Sequence, residues 1–402
     1  MQTCAGIREG RAGIRATECA AVQQKILFIN YYAYPGGDAG SFRVRALGRV
    51  FEHLGYAWEV LGMGKPESGT VWAFSLRAGR GRRFDRLVDH VMHGVRLRRF
   101  MRAQGDSYTH LLFSDMPFWS MVYLPKYAKK HGKILLHDSV EWYSPEQFTL
   151  GRFDYRYIAK ELLNRVVVAP PTKVIAISRF LQQHFEGRGC ESVRIPAILD
   201  LDEYPTDKNV SPDRIRILYA GSPGRKDSMC RVVQGYMRLT APERERVSLY
   251  LLGIDEAQLR DLCGSMGASF FSRGIQAMGR VSHSRVIDEL RHADFTILIR
   301  EDEQRYARAG FPTKVVESLA SATPVICNAS SDLFEYLEDG KSALRVKSKH
   351  PADVTAALRR ALTLDPASRA LMCREARECA EQWFSPSVYV GAMEHLLESG
   401  RC

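Results

Sequence analysis

Residues 305–326 read RYARAGFPTKVVESLASATPVI, and the fold is decided on them. Pro312 suits the first turn of a helix, where its missing N–H costs no bond. A helix starting there presents free backbone N–H groups, a natural seat for phosphates. Lys314 and Glu317 stand three apart and share a face, so a cation and a carboxylate point to one region about a turn in. Alone, that pair reads as surface decoration. Beside a phosphate seat, the carboxylate suits the two hydroxyls of a ribose.

Short apolar runs flank this helix, Phe295–Ile299 before it and Pro324–Cys327 after it. A strand, a helix and a second strand form the unit of a parallel sheet. The unit recurs outward, with strands expected at Ile215–Tyr219, Ser248–Leu252 and Ser269–Ser272. In the first half of the chain they are expected at Lys25–Asn30, Trp58–Leu61, His110–Ser114, Lys133–His137 and Lys173–Ile177. A helix after the first strand carries Val44, Leu47, Val50, Phe51 and Leu54 on one face and is closed by Gly55.

The fold class is therefore α/β, with two Rossmann-like doubly wound domains facing across a cleft. The 402 residues suit two domains better than one core. We read 1–24 as a loose leader, 25–200 as an N-terminal domain and 201–384 as a C-terminal domain that carries the phosphate seat. Residues 385–402 read as a helix returning to the N-terminal domain. The proline-rich stretch Ile195–Ser211 serves as linker. Such sheets bind ligands beyond the carboxyl ends of their strands, which places the ligand between the domains.

Two loops at those ends carry ligand-binding chemistry. After the first strand, Gly36 and Gly37 allow close backbone approach ahead of a helix start. In the second domain Tyr219-Ala220-Gly221-Ser222-Pro223-Gly224-Arg225-Lys226-Asp227 joins a turn to two adjacent cations, a plausible diphosphate clamp.

Charge is uneven. The first 200 residues carry 29 basic against 18 acidic side chains, the remainder 28 against 28. The excess concentrates in residues 78–104, a basic amphipathic helix with eight arginines and two aspartates. We expect it to contact an anionic membrane surface. No apolar run is long enough to span a bilayer, and the nine cysteines form no C-x-x-C pair, so the expected setting is cytoplasmic, with peripheral attachment to the inner leaflet. No zinc-finger or helix-turn-helix signature accompanies the sequence pI of about 9.2, and no nucleic-acid partner is expected.

The segment 310–326 resembles the donor-site motif of the family-four retaining glycosyltransferases, as does its flanking text GRVSHSRVIDELRHADFTILIR and NASSDLFEYLEDGKSALRV. Residues 219–227 resemble that family's phosphate loop, and VIAISRFL at 174–181 followed by Arg194-Ile195-Pro196 resembles its interdomain signature. The resemblance implies a GT-B fold and transfer of a sugar, with retention and without metal or other cofactor, from a nucleotide-sugar donor to a glycan or lipid-linked acceptor. It implies that Glu317 binds ribose, that Arg225 and Lys226 neutralise the leaving diphosphate, and that Thr313, Lys314, Gly310, Phe311, Gly221 and Ser222 contact the donor. His137, in HDSVEW at 137–142, falls where the family places a catalytic-loop histidine.

Two departures stand out. The family's first carboxylate is replaced by Ala309, and the arginine usual after the phosphate-loop glycine is Ser222. Other readings are a sugar-nucleotide epimerase on the same frame or a basic nucleic-acid-binding protein. Asp200-Leu201-Asp202 has the letters of a metal-binding D-x-D but sits in the linker.

Overall fold

The computed structural model describes residues 24–34, 39–63, 71–74, 83–208, 213–223, 226–264 and 274–399. The chain forms two parallel sheets. The N-terminal sheet uses β1 (Lys25–Ala33), β2 (Ala57–Met63), β3 (Val71–Phe74), β4 (His110–Phe113), β5 (Ile134–Ser139), β6 (Lys173–Ala176) and β7 (Ser192–Arg194), in the order β3-β2-β1-β4-β5-β6-β7. The C-terminal sheet uses β8 (Ile215–Ala220), β9 (Val247–Leu252), β10 (Ile275–Ala277), β11 (Phe295–Leu298), β12 (Val325–Asn328) and β13 (Ala343–Val346), in the order β10-β9-β8-β11-β12-β13. In each, the order reverses beside the first strand, which opens a crevice at the strands' carboxyl ends.

The strands are apolar on both faces because helices cover both. Leu27 and Ile29 of β1 join one core while Ile26 and Phe28 join another, where the helix Ala39–His53 supplies Val44, Leu47, Val50 and Phe51. Gly55, at φ +80°, closes that helix as expected. The expected strand at 269–272 lies outside the described residues; the strand that pairs with β9 is β10, Ile275–Ala277. The linker is no loose tether, since Ile195, Ile198 and Leu199 are buried. Arg43 holds it by donating to the carbonyls of Pro196 (2.8 Å) and Ile195 (3.2 Å).

The chain's end returns to the first lobe. Met393, Leu396 and Leu397 of the helix Val390–Glu398 pack with Ile26, Phe28 and Val44, and Lys173 donates to the Leu396 carbonyl (2.7 Å). The long helix Arg83–Gln104 lies on the helix Phe118–Lys130, with His93 bonded to Ser120 (2.7 Å). Its inward face includes Leu97 and Met101, while Val95 is 53% exposed.

Candidate active site between the lobes

Two cavities meet in the cleft, one of ≈ 830 Å³ on the C-terminal lobe's side and one of ≈ 900 Å³ reaching into the N-terminal lobe. Ala39, Arg156, Lys226, Arg300 and Thr313 line both and mark the junction.

The smaller cavity is floored by the ends of β8 and β9. Gly221 has φ +141°, and a Cβ there would lie 2.2 Å from the Lys314 Cε. Gly253 has φ +90° and would strike the Gly221 carbonyl at 2.5 Å. Side chains at either place would fill the floor, so the backbone itself is presented to a ligand. Val281 and Val286 form an apolar wall beyond Gly253, of a kind that accepts a planar ring.

The helix Thr313–Ala320 points its start into this cavity. Pro312 occupies its cap position and no side chain caps it, so the first amides remain available to an anion. Ser318 anchors the helix through Thr296 (2.6 Å) and the Thr323 carbonyl (2.7 Å). Lys314 and Glu317 do not pair with each other. Lys314 donates to Asp227 (2.5 Å) and to the Tyr219 hydroxyl (2.8 Å), while Glu317 bonds the His283 Nε2 (3.1 Å). The His283 ring is held 4.7 Å from Phe42 of the other lobe and 6.3 Å from Tyr204. Burial, and then the Glu317 charge, lift the Tyr204 hydroxyl far above its usual range.

Asp227 is the hub of the phosphate-loop end. Burial would raise its carboxyl, but Lys314 and Arg300 hold it below the ordinary carboxylate value. Lys226 beside it is pulled down to about 8 by burial and then by the Arg300 charge. Across the cleft Lys226 is ion-paired with Glu141 of the loop after β5.

The larger cavity is mostly apolar, with Met116, Phe118, Met121, Tyr143, Tyr155, Ile158 and Phe311 among its walls. Its charged members are matched. Arg43 pairs with Asp138 (2.7 Å), both nearly inaccessible, and the buried Lys160 pairs with Asp115.

The expected site residues therefore divide. Gly221, Ser222, Lys226, Thr313, Lys314 and Glu317 converge on the smaller cavity, while Gly310 and Phe311 line the larger one. Arg225, Gly36 and Gly37 lie outside the described residues. His137 does not join the residues that line the cavities. It is fully buried, 4.7 Å from the Phe113 ring and 6.0 Å from that of Phe185, lines neither cavity, and is driven down to about 3 by burial and then by the Lys160 charge. Its neighbours Asp138 and Glu141 face the cleft instead. Ala309 is buried as well, its carbonyl accepting from Ser178 (2.8 Å). Asp200 and Asp202 line neither cavity, and no metal-holding cluster of three or more His, Cys, Asp or Glu occurs among the described residues.

Residues 214–364 match the family model described as "Glycosyl transferases group 1". This lobe is a group 1 glycosyl transferase domain. The enzyme is accordingly a transferase. Solved structures share the whole two-lobed GT-B frame. Sucrose-phosphate synthase from Thermosynechococcus elongatus superposes with a TM-score of 0.73 at 16% identity, over 93% of this chain and 98% of that one. HepE of Anabaena, solved in complex with UDP-glucose, gives 0.67 at 15%, over 93% and 99%. WaaG, a glycosyltransferase involved in lipopolysaccharide biosynthesis, gives 0.65 at 13%, over 93% and 100%. No curated protein sequence matches the chain.

Proposed function

We propose that the glycosyltransferase moves a sugar from a nucleoside diphosphate donor to a lipid-linked or glycan acceptor, with retention and without a metal. The observation that carries this is the smaller cavity. One opening holds a glycine floor, an uncapped helix start, the cations Lys226, Lys314 and Arg300, and a carboxylate, Glu317. The base lies on Val281 and Val286, the ribose hydroxyls donate to Glu317, and the diphosphate sits between the helix start and Lys226. That order brings the sugar to the junction, against Gly310 and Phe311, where an acceptor in the larger cavity meets it. HepE, a fold neighbour, has been solved with UDP-glucose, which supports a donor of this class.

Attachment to an anionic membrane through residues 78–104 suits a lipid-linked acceptor. Arg98, Arg99 and Arg102 of the helix Arg83–Gln104 are exposed. Thermal shift against UDP, GDP, ADP and CDP and their sugars tests the donor reading, since a ligand of the folded state must raise the melting temperature. A rise with one nucleotide is expected; no rise with any of them sinks it.

A further inference from the structure

Ten of the fourteen exposed large hydrophobic side chains among the described residues belong to the N-terminal lobe. Tyr155, Ile158, Leu162 and Val166 recur at helical spacing, so the helix Tyr155–Leu162 and its continuation Leu163–Val167 carry an apolar stripe turned to solvent. Phe153, 85% exposed, extends the stripe at one end. Phe118 and Trp119 widen it, on a helix that touches Leu163–Val167.

A single exposed leucine asks for no explanation, but a contiguous ridge does. This ridge is continuous with the cleft, because Phe118, Tyr155, Ile158 and Leu162 also line the larger cavity. The two packed helices beside it carry exposed cations, Arg98 and Arg99 on Arg83–Gln104 and Lys126 and Lys129 on Phe118–Lys130. Exposed apolar side chains and exposed cations on one lobe complement the interface of an anionic bilayer, where tails take the first and headgroups the second.

We propose that this ridge inserts into the interfacial layer of an anionic membrane, so that the apolar portion of an amphiphilic acceptor passes from the lipid directly into the larger cavity. The inference rests on reading that cavity as the acceptor side, and it names the acceptor's class as a lipid. The basic helix alone would give attachment that salt abolishes; the ridge adds a component that salt leaves in place.

Flotation of the full chain with vesicles of phosphatidylcholine, alone or with phosphatidylglycerol, tests it. The wild type is expected to float with the anionic vesicles and to stay partly bound as salt rises. Replacing both Phe153→Glu and Val166→Glu should lower the bound fraction about ten-fold or more, since each apolar side chain withdrawn from lipid costs roughly that factor. Both residues are exposed, so the melting temperature and nucleotide binding should not change. The double variant Arg98→Glu/Arg99→Glu should instead lose only the salt-sensitive part. Equal flotation of Phe153→Glu/Val166→Glu and wild type overturns the proposal. So does a dimer in sedimentation velocity that the same two substitutions abolish, with no vesicle binding, because the ridge would then be covered by a second copy. Nucleotide binding measured alongside separates the readings: a wild type that binds nucleotide but no vesicle sinks the ridge alone.

Discussion

Lys226 of the C-terminal lobe is ion-paired with Glu141 of the N-terminal lobe, across the junction of the two cavities. Lys314 is likewise held by Asp227 at 2.5 Å. Two cations suited to a diphosphate are thus neutralised by carboxylates before any ligand arrives. A donor must displace Glu141 from Lys226 to use that charge. Glu141→Gln should therefore tighten nucleoside diphosphate binding by calorimetry, by about 1.5- to 5-fold for the loss of one partly exposed ion pair. Unchanged or weaker binding would show that Glu141 does not compete for the site.

Glu317 should be the most sensitive residue for the nucleotide, because its loss leaves two ribose hydroxyls without acceptors. Glu317→Ala should cost about 2–4 kcal/mol of binding for charge-assisted bonds of this kind. His283→Ala should cost less, since His283 acts on the carboxylate through one 3.1 Å bond. Calorimetry on both variants checks the ranking, and an Glu317→Ala enzyme that binds as the wild type does moves the ribose elsewhere.

Much of this was legible in the sequence, and the reason differs from element to element. The strands β1, β4, β8 and β11 were readable because each is a compact apolar run bounded by polar turns. The strands β7 and β13 were not, because an arginine interrupts the apolar run in each, SVR and ALRV. His137 shows a limit of another kind. Strand β5 is buried on both faces, so its pattern does not say which residue reaches the cleft end, and resemblance chose the residue next to Asp138. Pairs such as Arg43 with Asp138 and Lys226 with Glu141 join residues some 85 to 95 positions apart, where no local spacing signals a contact. The donor motif was readable because helix start, cation and carboxylate lie within six residues.

Nucleotide binding should weaken as pH rises through about 8, where Lys226 gives up its proton. The sign separates this from unfolding. Lys226 and Lys208 both sit near 8 in the folded chain against 10.5 for an ordinary lysine, so in that window the unfolded chain binds more protons. These two groups therefore make stability rise with pH there, while binding falls. Lys226→Arg keeps its charge throughout and should flatten the binding curve. A decline of equal steepness in the variant would assign it to another group.

Ala309→Glu restores, in letters only, the first carboxylate of the motif that the donor segment resembles. The side chain at 309 is fully buried in the core, and its carbonyl is already used by Ser178. A carboxylate placed there is a charge taken out of water into an apolar core, so the variant should lose about 3–5 kcal/mol of stability in denaturant melts. Donor turnover should fall with it. A variant as stable as the wild type, with faster turnover, would show that the position opens to the sugar after all.

Turnover should survive chelation by EDTA. A departing diphosphate needs positive charge where its oxygens develop negative charge, and preorganised cations supply that without reorganisation. Lys226, Lys314 and Arg300 line the smaller cavity beside the start of the helix Thr313–Ala320. Asp227, a carboxylate of the same cavity, is already committed to Lys314, with Arg300 at 3.5 Å. It is poorly placed to give that bond up to a divalent ion. Lys226→Ala should then lower kcat by about 10²-fold, the scale of losing one stabilising group, with little change in melting temperature. EDTA-sensitive turnover restored by Mn²⁺ would transfer the role from these cations to a metal and reopen the assignment of the Asp200 and Asp202 carboxylates.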